Sequence, residues 1–139
     1  MLVRECTGGI VFYEDKVLML ENNKHEWVFP KGVVRKNQKM TEVVIERVKT
    51  EAGIEAKILA PCGKTHYEYY SVSRMKPVHN NVSWFIMKAL SSDLVPDSKQ
   101  DFVDAKFYEI EDAMKTITYS QDRSLLLMAY QKYKELAFG

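Results

Sequence analysis

The stretch ERVKTEAGI, residues 46–54, decides the reading of this chain. Val48 and Ala52 fall at helical spacing and, with Val43 and Val44 upstream, line one face of a helix over residues 41–52. Thr41 is the expected N-cap and Gly53 the expected residue that stops the helix. Valine and isoleucine are poor helix formers, so packing must hold this helix more than propensity does. Residues 47, 50 and 51 stand in an i, i+3, i+4 relation and share a second face, which here carries Arg47, Thr50 and Glu51.

Upstream, residues 3–13, with an apolar run at Ile10-Val11-Phe12-Tyr13, and residues 17–20 read as two strands separated by Glu14-Asp15-Lys16, the pattern of a β-hairpin. WVFPKG (27–32) follows; Pro30 argues against a central ladder position and Gly32 permits an unusual backbone. Residues 33–39 read as an irregular basic connection. Downstream, Pro61-Cys62-Gly63 carries turn chemistry inside 56–72, and an aromatic strand with His66, Tyr67, Tyr69 and Tyr70 follows it. Alternation sets Tyr67 and Tyr69 on one face of that strand. Residues 73–81 read as a loop, 82–90 and 102–110 as strands, and 111–117 as a short helix. A final helix is expected from its cap at Ser120, with Leu126, Tyr130, Tyr133 and Ala137 on one side. The order of strands, helix, strands and helix implies an α/β fold with a mixed sheet covered on both faces.

The 139 residues suit one domain spanning 1–139, and 46% hydrophobic residues supply a core. A net charge of +1 gives no global field for nucleic acid or an anionic membrane, so any anion site must be local. No run nears the ~20 apolar residues of a spanning helix, and the N-terminus lacks a signal-peptide pattern. Cys6 and Cys62 read as reduced, buried thiols, which places the chain in the cytoplasm.

Gly32, Gln38, Glu46, Arg47, Val48, Glu51, Gly53 and Ile54 together resemble the Nudix box, GX5EX7REUXEEXGU with U aliphatic. The lead-in WVFPKG is similar to that of the Ap4A hydrolase-like branch, and the order of elements resembles the family over nearly the whole chain. The resemblance implies a Nudix-type α/β/α sandwich with a mixed sheet. It also implies a MutT-like hydrolase acting on a nucleoside diphosphate linked to another moiety, among them dinucleoside polyphosphates. In the family, carboxylates on the 47/50/51 face hold magnesium, which polarises phosphoryl oxygens and activates water.

The departures lie in the acids. Gln38 stands where the family has Glu, Glu46-Arg47 replaces Arg-Glu, and Thr50 replaces Glu. On the 47/50/51 face Arg47 and Glu51 cancel, where the family pattern carries three acids. Two nucleotide readings stay open, beside a structural or partner-binding role for the same scaffold. One is a weakened pyrophosphohydrolase, with Glu51 as surviving catalytic carboxylate and metal ligand, a Gly32 carbonyl beside it, and magnesium (or manganese) weakly held. The other is an inactive nucleotide-binding or regulatory module in which Arg47 replaces the metal as counter-charge. In both, Lys31 and Arg47 are the expected phosphate clamps, and Tyr67 and Tyr69 the base platform. Asp101, in the loop before the last strand, is a further candidate base. The expected partner is a small nucleotide, with no specific nucleic acid and no membrane, bound by a monomer or homodimer.

Overall fold

A computed structural model describes residues 1–138. The hairpin forms as expected: β1 (Leu2–Tyr13) turns at Glu14-Asp15 into β2 (Lys16–Asn22). Two short strands follow, β3 (Trp27–Val28) and β4 (Lys31–Val33), with Pro30 between them, outside any ladder. Helix α1 spans Met40–Ala52. A long hairpin, β5 (Ala56–Ser71) and β6 (Lys76–Ala89), precedes β7 (Phe102–Glu109), α2 (Ile110–Thr116) and α3 (Ser120–Phe138).

The sheet runs β3-β2-β1-β6-β5, with β7 beside β2 and β4 beside β1. β1 and β6 are parallel and the other pairs antiparallel, so the sheet is mixed. β1 divides its second edge: Cys6–Gly8 pair with β4, and Phe12 and Tyr13 with β2. Strand alternation then sorts the core into two layers. Ile10, Phe12, Val17 and Met19 face Leu125, Leu126, Ala129 and Tyr133 of α3, where Phe12 stacks on Tyr133 at 4.2 Å between centroids. Val11, Leu18 and Leu20 face Val44, Val48 and Ala52 of α1. This is the α/β/α arrangement, with helices on both faces of a curled sheet.

Four local expectations are corrected. Thr41 does not cap α1: the helix starts one residue earlier, Lys39 takes the N-cap position, and no side chain caps it. Pro61-Cys62-Gly63 does not end a strand. It is a bulge inside β5, where Gly63 at φ 94° absorbs the register shift between Pro61 and Lys64. Residues 73–81 are not all loop: the turn is confined to Val72–Met75, and His79, Asn80 and Asn81 belong to β6. On α3, Ala137 is exposed, while Leu126 and Tyr133 are buried as expected. Cys6 and Cys62 are buried free thiols, and no helix among the described residues is long and apolar enough to cross a membrane.

Gly53 closes α1 as expected, at φ 75°, with its N–H on the Lys49 carbonyl. A Cβ there would lie 2.9 Å from that of Val95. Gly53→Ala is therefore expected to cost about 1–3 kcal/mol, from left-handed backbone strain and this contact. Urea unfolding of the two proteins measures it.

Candidate functional site

Val44 and Val48 of α1 are buried in the core, whereas Val43, expected on the same face, is only half-buried; the neighbouring stripe turns toward β4 and carries Arg47 and Glu51. Nε and Nη2 of Arg47 both donate to Oε2 of Glu51, the former at 2.8 Å. The arginine stem lies directly on Gly32: a Cβ at that residue would come within 2.7 Å of Cγ and Cδ of Arg47. The glycine thus supplies the clearance that seats the guanidinium.

Glu51 is only 1% exposed, and its Oε1 has no hydrogen-bond partner. Burial pushes its carboxyl up to about 7; the charge and hydrogen bonds of Arg47, and a smaller influence of Lys31, pull the other way without prevailing. Asp97 donates its backbone N–H to the Glu51 carbonyl, tying the loop after β6 to the end of α1.

Across from α1, the outer ends of β1, β5 and β6 carry a polar network. Arg4 donates to Asn80 Oδ1 and to the Tyr69 hydroxyl, both at 2.9 Å, and Asn80 donates to the Tyr67 hydroxyl at 2.9 Å. Tyr67 and Tyr69 share one face as expected, 6.1 Å apart and inclined by 26°. The Lys31 ammonium sits over the Tyr67 ring at 4.4 Å, so one face of that ring is already covered.

Between these walls lie two adjoining clefts that share Lys31, Arg47 and Tyr67. The first, about 670 Å³, brings together four cations, Arg4, Lys31, Arg35 and Arg47, against the acids Glu42 and Glu46. Gln38, which stands at a family acid position, lines it too and accepts the Arg35 backbone N–H at 2.7 Å, closing the loop between β4 and α1. The second, about 750 Å³, is lined by Phe29, Trp84 and Phe102 and by the carboxylates Glu26, Glu51 and Asp122. Burial raises the pKa of Asp122, partly offset by the charge of Lys31. Glu26 is held below the usual carboxylate range by hydrogen bonds from Tyr119 and Asn22, and the same contact pushes the Tyr119 hydroxyl up to about 12.

Of the expected site residues, Lys31, Gly32, Arg47, Glu51, Tyr67 and Tyr69 are brought together. Asp101 lines neither cleft; it is exposed, in left-handed backbone, at the end of the 3₁₀ turn Ser98–Gln100. Four residues were not foreseen, among them Arg35, which lies in the stretch read as an irregular connection. Arg4 joins the cleft through strand register, since β1 pairs Arg4 with Asn80. Asn80 lies in the stretch read as loop, and Asp122 sits near the start of α3, far from the box in sequence.

A model of the NUDIX domain matches residues 4–128. The chain belongs to the NUDIX domain family. Among solved structures it is similar to an Ap4A hydrolase of C. elegans in a binary complex, with TM-score 0.72, 21% identity, and 95% of this chain and 98% of that chain covered. It is also similar to an ADP-ribose pyrophosphatase of Streptococcus suis (TM-score 0.71, 18% identity, 94% and 92% covered). A third is a MutT protein of Methanosarcina mazei (TM-score 0.74, 14% identity, 96% of each covered). At these identities the likeness is one of fold.

NUDIX hydrolases typically use a divalent metal. The donor set of this NUDIX domain does not fit one in the usual manner. Glu51 is the one carboxylate on the 47/50/51 face, and one of its oxygens is taken by Arg47. No group of three or more His, Cys, Asp or Glu side chains suited to an ion is found among the described residues.

The raised Glu51 pKa has a signed consequence. Its contribution to stability is fully present below the unfolded carboxyl pKa near 4.5 and is lost as pH rises through about 7. Glu51→Gln should remove that loss, gaining about 2–4 kcal/mol on the wild type between pH 4.5 and pH 8. Unfolding titrations at the two pH values measure the difference; parallel curves would refute it.

Proposed function

We propose that this NUDIX domain binds a nucleoside diphosphate linked to a second moiety, a dinucleoside polyphosphate being one such compound, and that Arg47 supplies the counter-charge in place of a divalent ion. The carrying observation is the Arg47 guanidinium seated on Gly32 and forked onto Glu51. Arg47 keeps 31% of its side chain exposed, against 2% for Glu51, so its outer edge is free to meet an anion. Lys31, Arg35 and Arg4 surround the same space, and clustered guanidinium groups recognise phosphate by bidentate hydrogen bonds. Tyr67 and Tyr69 remain the stacking surface; Tyr69 is the more accessible, because Lys31 covers Tyr67.

A second reading, slow hydrolysis of the same ligand class, is favoured by the unpartnered Oε1 of Glu51. With a pKa near 7, this carboxyl is matched to taking a proton from water at neutral pH.

Phosphate release from a nucleotide panel, with and without magnesium, is measured beside ligand-induced melting shifts without metal. Stabilisation by pyrophosphate and nucleoside diphosphates without metal, and without turnover, is the expected outcome. Arg47→Ala should weaken pyrophosphate binding about tenfold or more, in line with losing a charge-assisted pair. Turnover that requires magnesium and vanishes in Glu51→Gln would overturn the binding-module reading. Arg47→Glu combined with Thr50→Glu is expected to raise magnesium-dependent hydrolysis above wild type in the same assay.

A further inference from the structure

Two long strands, β5 and β7, lie at margins of the sheet, and only β5 is protected. It carries Pro61 and the bulge at Gly63. Side chains of α3 also cover part of its outer backbone: Lys132 donates to the Pro61 carbonyl at 3.0 Å, and Gln121 to the His66 carbonyl at 3.5 Å. Such devices keep an edge strand from recruiting another chain. β7 has none of them. Among the described residues it pairs with β2 alone, and from Asp104 to Glu109 it contains neither proline nor bulge.

Its composition is ill suited to an open margin. Phe102, Val103, Ala105, Phe107 and Tyr108 make it an apolar strand, yet of the strands with seven or more residues it is the one with no buried residue. Val103 is 55% exposed. The backbone of Ala105 is also turned outward: its N–H donates at 2.8 Å to Oδ1 of the adjacent Asp104 rather than to β2. Ladder bonds alternate along an antiparallel strand, so Phe107 presents its N–H and C=O on the same open side. Asp104 and Lys106 flank Ala105 on one face of β7, with Nζ 3.8 Å from Oδ2. Charge on an edge strand ordinarily deters a second strand. Here the two charges are opposite and symmetric about Ala105.

We propose that β7 is the surface through which two copies of this chain associate, paired antiparallel across a two-fold axis at Ala105. Each Asp104 then faces Lys106 of the other copy, Ala105 faces Ala105, and Val103 faces Phe107 of the other copy. The Ala105 N–H exchanges the Asp104 carboxylate for the Ala105 carbonyl of the second copy, which releases Asp104 to the opposing lysine. The charge order selects a second copy as occupant, because Asp-Ala-Lys read backwards is its own complement. An in-register parallel pairing would instead set aspartate beside aspartate and lysine beside lysine.

Sedimentation equilibrium over a concentration series tests this contact. The wild-type chain should show a monomer–dimer equilibrium. Lys106→Glu leaves two acids beside Ala105, and Asp104→Lys leaves two cations. Either variant alone should raise the dimer dissociation constant about tenfold or more, because two like-charge pairs then stand opposite one another. An equimolar mixture of the two should associate within about threefold of wild type, since every cross-strand pair is again opposite in charge. Circular dichroism and melting temperature report that each variant folds. Hydrogen exchange on the wild type needs no substitution: the Ala105 and Phe107 amides should gain protection as concentration rises. A wild-type chain that stays monomeric up to about 1 mM, the weak end of specific association, leaves the edge to another protein's strand or to none and overturns the proposal. So does a dimer that both variants leave intact, one whose loss the mixture fails to restore, or one that leaves those two amides unprotected.

Discussion

Removing a carboxylate from water costs several kcal/mol unless a partner meets it, and the cleft of this domain is organised around one such group. Glu51, near the end of α1, is buried with a single strong partner, Arg47, on one of its two oxygens. Gly32 gives that partner its seat, because any side chain there would collide with the arginine stem. A face of acids must recruit cations from solution to stay folded and charged. Arginine at residue 47 carries its cation covalently, so the face is neutral from the start. The same pair leaves a guanidinium edge toward the first cleft and an unmet carboxylate oxygen deep in the domain.

The layered fold was legible because burial on two faces is written into β1 and β2, where Ile10 and Phe12 alternate with Val11, and Val17 and Met19 with Leu18 and Leu20. The end of α1 was legible in Gly53. Its beginning was not: Thr41 has the right chemistry, yet the helix runs back to Met40. Pro61-Cys62-Gly63 misled for a related reason, since turn residues also serve bulges, and only the partner strand decides between them. Within the site, Lys31, Gly32, Arg47 and Glu51 could be placed because helix spacing and one short motif relate them. Arg4 and Asn80 could not, because they meet through strand register between distant segments. Asp122 carries no local mark at all; it reaches the second cleft only because α3 docks on the sheet. Asp101 had the expected chemistry, but its backbone ends a 3₁₀ turn at the surface.

The Lys31–Tyr67 contact is the hinge point of this arrangement. Both residues belong to both clefts, one on β4 beside the box and the other on the long arm of β5. The arm is fixed to β1 by Arg4 and Asn80, so the orientation of the aromatic wall depends on strands outside the sequence motif. Two parts of the chain that carry no family signature therefore shape what the signature can hold.

The parallel ladder between β1 and β6 has a consequence for how the chain acquires its shape. From Leu2 against Val78 to Phe12 against Lys88, the first strand made finds its longest partner only after most of the protein exists. Pairings so distant in sequence close slowly, because chain entropy is surrendered before contacts repay it. During synthesis α1 can cover one face of the β1–β2 hairpin early, but the β1 edge that pairs with β6 stays open to the wrong neighbours until the second half of the chain leaves the ribosome.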